Sequence, residues 1–172
     1  MVRRAQFWQE ADSLLRAPGG WSARFQQLDI LFDRYEGGRA LLHTAPYPNT
    51  VFPNSLAPPL PEEVRGMRCF LKSWEAGEVT GIHGHPGLMY VRMITAQLEC
   101  VHFQREGDRV VEESRGDYGP GEVMVGIAEN ERYDNFIHQL RCVQPGWSVH
   151  LYSDSGVRGV RFDADHTLEQ AG

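Results

Sequence analysis

The stretch Gly77-Glu78-Val79-Thr80-Gly81-Ile82-His83-Gly84-His85 sets two histidines two residues apart, with a glycine six residues ahead of the first. In an extended strand residues i and i+2 point to the same face, so both imidazoles can reach one ion. The sequence around this stretch supports a strand. From Arg68 onward, short β-rich runs at 69–74, 88–103, 109–112, 122–127, 135–140, 148–153 and 157–162 alternate with turn residues at Gly77, Glu106-Gly107-Asp108, 116–121 and Pro145-Gly146. About seven or eight strands with no helical period among them predict a mainly β fold, an antiparallel sandwich or barrel.

Toward the N-terminus the period changes. Phe7, Ala11, Leu14 and Leu15 recur at helical spacing until Pro18-Gly19-Gly20. A second helix is expected with Ser22 as its cap and Phe25, Leu28, Leu31, Phe32 and Tyr35 on its apolar face, ending at Gly37-Gly38. Six of the 10 prolines lie between Pro46 and Pro61 in a stretch that also holds Tyr47, Val51, Phe52 and Leu56, which reads as a loop wrapping the body. The chain has 172 residues, 41% of them hydrophobic, enough for one good core and too few for two ordinary domains. The expected organisation is therefore a single domain over 1–172, with a helical cap at 1–40, the wrapping loop at 41–66 and a β-barrel at 67–165.

A net charge of −6 and a pI near 5.6, with scattered basic residues, give no field to attract nucleic acid or an anionic membrane surface. Met1-Val2-Arg3-Arg4 is not followed by the apolar run of a signal peptide, and no segment reaches the ~18 apolar residues of a membrane span. Cys69, Cys100 and Cys142 are odd in number and lack CxxC spacing, so they read as reduced, buried thiols of a cytoplasmic protein. No obligate protein partner is evident.

The glycine spacing ahead of His83-Gly84-His85 resembles the first metal motif of the cupin superfamily, which implies an antiparallel jelly-roll barrel. In that family a glutamate usually follows the second histidine by four or five residues. Here Met89 and Tyr90 stand at those positions, and neither is a hard anionic ligand. His138, in Asn135-Phe136-Ile137-His138-Gln139-Leu140, falls where cupins place their second metal motif and is the expected third ligand. Two histidines, no glutamate and one late histidine resemble the cysteine dioxygenase family. Ser148-Val149-His150-Leu151-Tyr152 resembles that family's Ser-x-His-x-Tyr strand, and Trp74, nine residues before His83, also occupies a family position. Ile137-His138-Gln139 is closer to the bacterial mercaptopropionate dioxygenase branch. The likeness runs from about Phe70 to Phe162.

The resemblance implies an Fe(II) centre on His83, His85 and His138 that oxidises a small thiol to its sulfinate with O2, thiol and O2 being the expected partners. Three neutral imidazoles leave the ion its full charge and about three open positions, which favours an anionic thiolate. Ser148, His150 and Tyr152, at i, i+2 and i+4, share one strand face, so their polar groups can form a relay. By resemblance Tyr152 is the hydrogen-bond donor or acid beside the substrate. The family's cysteine, thioether-linked to the tyrosine matched by Tyr152, is replaced by Met89, which implies an unmodified phenol. The arginine that the family uses for the substrate carboxylate is missing from Thr50-Val51-Phe52-Pro53-Asn54. Lys72 shares strand parity with Phe70 and Trp74 and is the expected replacement, with Arg68, Arg92 and Arg161 as alternatives. Trp74, Met89 and Arg92 complete the expected substrate site, while His43, His102 and His166 show no pattern. Three other readings use the same residues: zinc with an activated water, an iron oxygenase acting on a substrate without sulfur, and a non-catalytic cupin that binds a small ligand.

Overall fold

In the computed structural model, which describes residues 2–42, 62–64, 67–128, 132–154 and 158–169, the two predicted helices are present as α1 (Val2–Arg16) and α2 (Trp21–Arg34). Phe7, Ala11 and Leu15 are fully buried on α1, and Phe25, Leu28, Leu31 and Phe32 form the buried stripe of α2. Ser22 is not the cap. The helix starts two residues earlier than that cap implies, at Trp21, with Gly20 at the cap position and no side-chain cap bond, so Ser22 lies in its first turn. Gly37, at φ 65°, makes the turn after α2 before one further helical turn, α3 (Arg39–Leu42). The proline-rich stretch 46–61, including Thr50 to Asn54, and His43 lie outside the described residues.

The β half comprises β1 (Glu62–Val64), β2 (Met67–Trp74), β3 (Ile82–His85), β4 (Leu88–Met93), β5 (Gln97–Glu106), β6 (Arg109–Tyr118), β7 (Val123–Ile127), β8 (Asn135–Gln144), β9 (Gly146–Tyr152) and β10 (Arg161–Phe162). One sheet has the order β1-β2-β9-β4-β7 and the other β10-β3-β8-β5-β6, and every pairing is antiparallel. From β2 to β9 the chain passes back and forth between the sheets, except at the β5–β6 hairpin. This is the double Greek-key jelly roll, the architecture of cupins, and it meets the fold expectation.

The run 88–103 is two strands, not one. The backbone N–H groups of Ile94, Thr95 and Ala96 all point at the Trp147 carbonyl, at 2.8, 3.1 and 3.3 Å, and this tight corner carries the chain from one sheet to the other. A side chain on Gly146 would collide there, since its Cβ would lie 2.4 Å from the Ala96 nitrogen. β6 and β8 extend beyond their expected ends, and among the described residues of 157–162 only the two of β10 are in a strand.

Alternation divides the apolar residues into layers. Met67, Cys69, Leu71, Leu88, Tyr90, Val149 and Leu151 face the helices, whereas Trp74, Met89, Val91, Met93, Leu98, Cys100, Leu140, Cys142 and Tyr152 face the barrel interior. A third cluster, Ile82, Val101, Phe103, Val110, Ile137 and Phe162, covers the outer side of the second sheet. The three cysteines are free and buried. No helix among the described residues is long and apolar enough to cross a membrane.

Candidate metal centre

β3 pairs with β8 so that His83 lies opposite His138. The strand period then brings His85 to the same spot, and the ligand atoms of His83, His85 and His138 lie within 4.8 Å of one another. Of the expected site residues these three are the ones that the structure gathers as a possible metal site; among the described residues no carboxylate joins the group. Gly84 between the two histidines is a steric requirement. A Cβ there would stand 2.6 Å from the Tyr133 carbonyl oxygen and 2.8 Å from the Asp134 Cα, while the Gly84 N–H donates to the Val160 carbonyl. Backbone packs on both sides of this residue, which pins the strand that carries both imidazoles.

The three rings are held differently. The Nδ1–H of His83 donates to the Gly81 carbonyl at 2.8 Å, leaving Nε2 for the cluster. His85 and His138 present their Nε2 atoms to each other at 3.2 Å, and their buried Nδ1 atoms find no partner among the described residues. Their orientation comes from ring packing: His85 stacks on Tyr152 with centroids 4.8 Å apart. Burial lowers the pKa of all three, with the neighbouring imidazoles adding to the effect at His85 and His138 and the Arg161 charge at His83. His85 and His138 can share one proton as an Nε2–H···Nε2 hydrogen bond, and with the ring protons on Nδ1 all three neutral imidazoles present Nε2 lone pairs to one point. The donor set therefore fits a divalent metal that accepts nitrogen ligands.

Above this cluster runs a chain of hydrogen bonds on the inner face of β9. The Trp74 Nε1–H donates to Ser148 Oγ at 2.8 Å, Ser148 Oγ lies 2.7 Å from His150 Nε2, and His150 Nδ1 lies 2.8 Å from the Tyr152 hydroxyl. Trp74 can only donate, so Ser148 Oγ accepts there, and with its second lone pair and its own proton the hydroxyl can either donate to His150 Nε2 or accept from it. In the first arrangement His150 Nδ1–H donates to the Tyr152 oxygen, which leaves the Tyr152 proton for a group beside His85; in the second the Tyr152 O–H donates to His150 Nδ1. Burial first, and the Lys72 charge second, hold His150 down to about 3, so the relay carries a neutral imidazole. Burial likewise pushes the Tyr152 phenol above its ordinary range, so it keeps its proton.

The expected substrate cations separate. Phe70, Lys72 and Trp74 do share the inner face, with Phe70 stacked on His150 at 4.7 Å and Lys72 opposite Ser148 across the strand pair. The Lys72 ammonium, however, pairs with Glu78 at 2.5 Å and sits 4.0 Å over the Trp74 ring. Arg92 is turned the other way. Its guanidinium binds Asp29 and Asp33 of α2, because its position on β4 shares parity with Tyr90 on the cap side; it is a tie between cap and sheet, not a substrate residue. Arg161 pairs in register with His83, and Arg68 with Tyr152, and both are exposed. Met89 is buried and directly opposite Tyr152, the position that the resemblance implied for a cross-link partner.

Two features escaped the sequence reading. His102, on β5, lies opposite His138, with ring centroids 6.4 Å apart, but no spacing links 102 to the other histidines. Trp74 was expected to line the pocket, whereas its indole N–H starts the relay; only the pairing of β2 with β9 could show this. His166 packs against Phe103 on the outer side.

No protein-family model matches the sequence, and no curated protein is similar to it. Solved structures resemble it in part, at low identity. A cupin superfamily protein from Desulfitobacterium hafniense is 13% identical, with 55% of this chain and 72% of that one covered and a TM-score of 0.41. A protein with a cupin-like fold from Ralstonia eutropha is 15% identical over 60% of this chain and 55% of that one, with a TM-score of 0.41. A DMSP lyase from Ruegeria pomeroyi is 16% identical over 61% of this chain and 43% of that one, with a TM-score of 0.38. The match thus spans less than half the length of the lyase. These likenesses carry neither fold nor activity over to this chain.

Proposed function

We propose that this chain is an Fe(II)-dependent thiol dioxygenase that adds both atoms of O2 to the sulfur of a small thiol acid, giving the sulfinate. The observation that carries the reading is the juxtaposition of a ligand group of three neutral histidines with a relay that ends on a protonated tyrosine stacked on one of them. A bound Fe(II) supplies positive charge for a thiolate and a redox partner for O2. The protein's own groups supply the rest. In the tautomer on which this reading rests, Ser148 donates to His150 Nε2 and His150 Nδ1–H donates to the Tyr152 oxygen, so the Tyr152 O–H is left as a donor to a ligand at the centre. The interior residues Met89, Val91 and Met93 exclude water from behind the relay.

Arg161 is the cation assigned to the carboxylate of the substrate, with Arg68, exposed and opposite Tyr152, as the second candidate. Lys72 is neutralised by Glu78 and Arg92 by the two aspartates, whereas Arg161 stands beside His83 and forms no ion pair among the described residues. The test is metal analysis of protein purified without added metal, followed by O2 uptake with 3-mercaptopropionate, cysteine and an aminothiol. Stoichiometric iron and uptake with an acidic thiol are expected. Zinc in place of iron, or iron without uptake on any thiol, overturns the proposal.

A further inference from the structure

Alternation on β5 sends Leu98 and Cys100 into the barrel interior and Val101 and Phe103 to the outer side of the sheet, so His102 belongs to the inner face. There the register of three adjacent strands sets three histidines in one row. His83 lies opposite His138 across β3 and β8, and His102 lies opposite His138 across β5 and β8. Residues directly opposite on one face are close enough for their side chains to meet. The His102 ring is half-buried and stands at 90° to that of His138, with centroids 6.4 Å apart.

His138 has an unmet need on that side. It is 1% exposed, its Nε2 is turned to His85 of β3, and its Nδ1 finds no partner among the described residues. The two nitrogens lie on opposite edges of an imidazole, one on each side of the bond to Cβ. With Nε2 given to β3, the Nδ1 edge is turned toward β5, where His102 is the residue in register. For Nε2 to offer a lone pair to a metal the ring proton must sit on Nδ1, and a buried donor without a partner is costly. His83 solves the same problem with the Gly81 carbonyl. We propose that His102 is the positioning residue of His138: its unprotonated ring nitrogen accepts the His138 Nδ1–H, directly after a turn of the His102 side chain or across one water, and so holds the tautomer that binds metal. The half-buried ring has access to solvent for the second route. This rests on the reading of the three histidines as a metal centre and is independent of the thiol chemistry.

The experiment is a Co(II) titration of the full chain in competition with a chelator, followed by visible absorption, on wild type, His102→Leu, His102→Asn and His102→Gln. His102→Leu is expected to weaken Co(II) binding by about 10- to 100-fold, the usual effect of losing the outer partner of a ligating histidine. The band pattern at saturation should stay the same, because the three ligands remain. Asn and Gln place a carbonyl oxygen near the positions of the two ring nitrogens, so at least one of them is expected to bind within about 3-fold of wild type. Thermal unfolding of the metal-free proteins identifies a folding defect, and His102→Ala takes the place of the leucine variant if that one does not fold. A loss below about 3-fold on removal of the imidazole, equal losses in the apolar and amide variants, or an altered band pattern, which would make His102 itself a ligand, overturns the proposal. Wild-type protein that binds no Co(II) overturns the metal centre and this inference together, whereas absent O2 uptake by the iron-loaded wild type overturns the thiol chemistry alone.

Discussion

Replacing Ser148 with Ala removes one oxygen and disrupts two hydrogen bonds at once. The hydroxyl is fully buried, and its partners Trp74 and His150 are 3% and 4% exposed. After the substitution the Trp74 Nε1–H and the His150 Nε2 have no partner, and the space left by one oxygen is too small to admit a water. A buried polar group left unpaired costs about 1–3 kcal/mol, so the two orphaned groups are expected to make Ser148→Ala destabilise the metal-free protein by about 2–6 kcal/mol. Denaturant unfolding of wild type, Ser148→Ala, Trp74→Phe and the double variant measures this. Trp74→Phe removes the orphaned donor, so the double variant should be more stable than the sum of the single effects implies, by about 1–3 kcal/mol. A Ser148→Ala loss below about 0.5 kcal/mol, or strict additivity, would refute the relay as drawn.

His138→Ala is expected to abolish metal retention, measured by elemental analysis, because two imidazoles alone form a weak site; stoichiometric metal in that variant would exclude His138 as a ligand. Tyr152→Phe should keep metal and fold yet lower thiol turnover by about 100-fold, the effect of losing a positioned proton donor. Arg161→Met should raise KM for acidic thiols by about 10-fold and leave aminothiols unaffected, while Lys72→Met, whose charge is already spent on Glu78, should not separate the two substrates. The pH dependence has a definite sign. His150 falls from the ordinary 6.5 to about 3 in the folded protein, so below about 6.5 the unfolded chain takes up its proton first. The metal-free protein therefore loses about 1.4 kcal/mol per pH unit through this group between those values. His150→Gln should flatten the curve over that range, and identical curves for the two proteins would contradict a buried neutral imidazole.

Periodicity alone revealed the helical cap and the β character of the rest, because a stripe every three to four residues or an alternation of two is written directly in the chain. It also showed that His83 and His85 share a face, as do Ser148, His150 and Tyr152, and that Phe70, Lys72 and Trp74 lie together. The resemblance placed His138 with them, and β3–β8 pairing brings its ring to theirs. What alternation cannot encode is which face of one strand meets which face of another. Arg92 and Lys72 looked equivalent as cations in strands; sheet packing turned the first to α2 and gave the second to Glu78. Register made Trp74 the first donor of the relay and set Arg161 beside His83. His102 likewise meets His138 only through the register of β5 on β8, two strands distant in the chain whose alignment exists only once they pair.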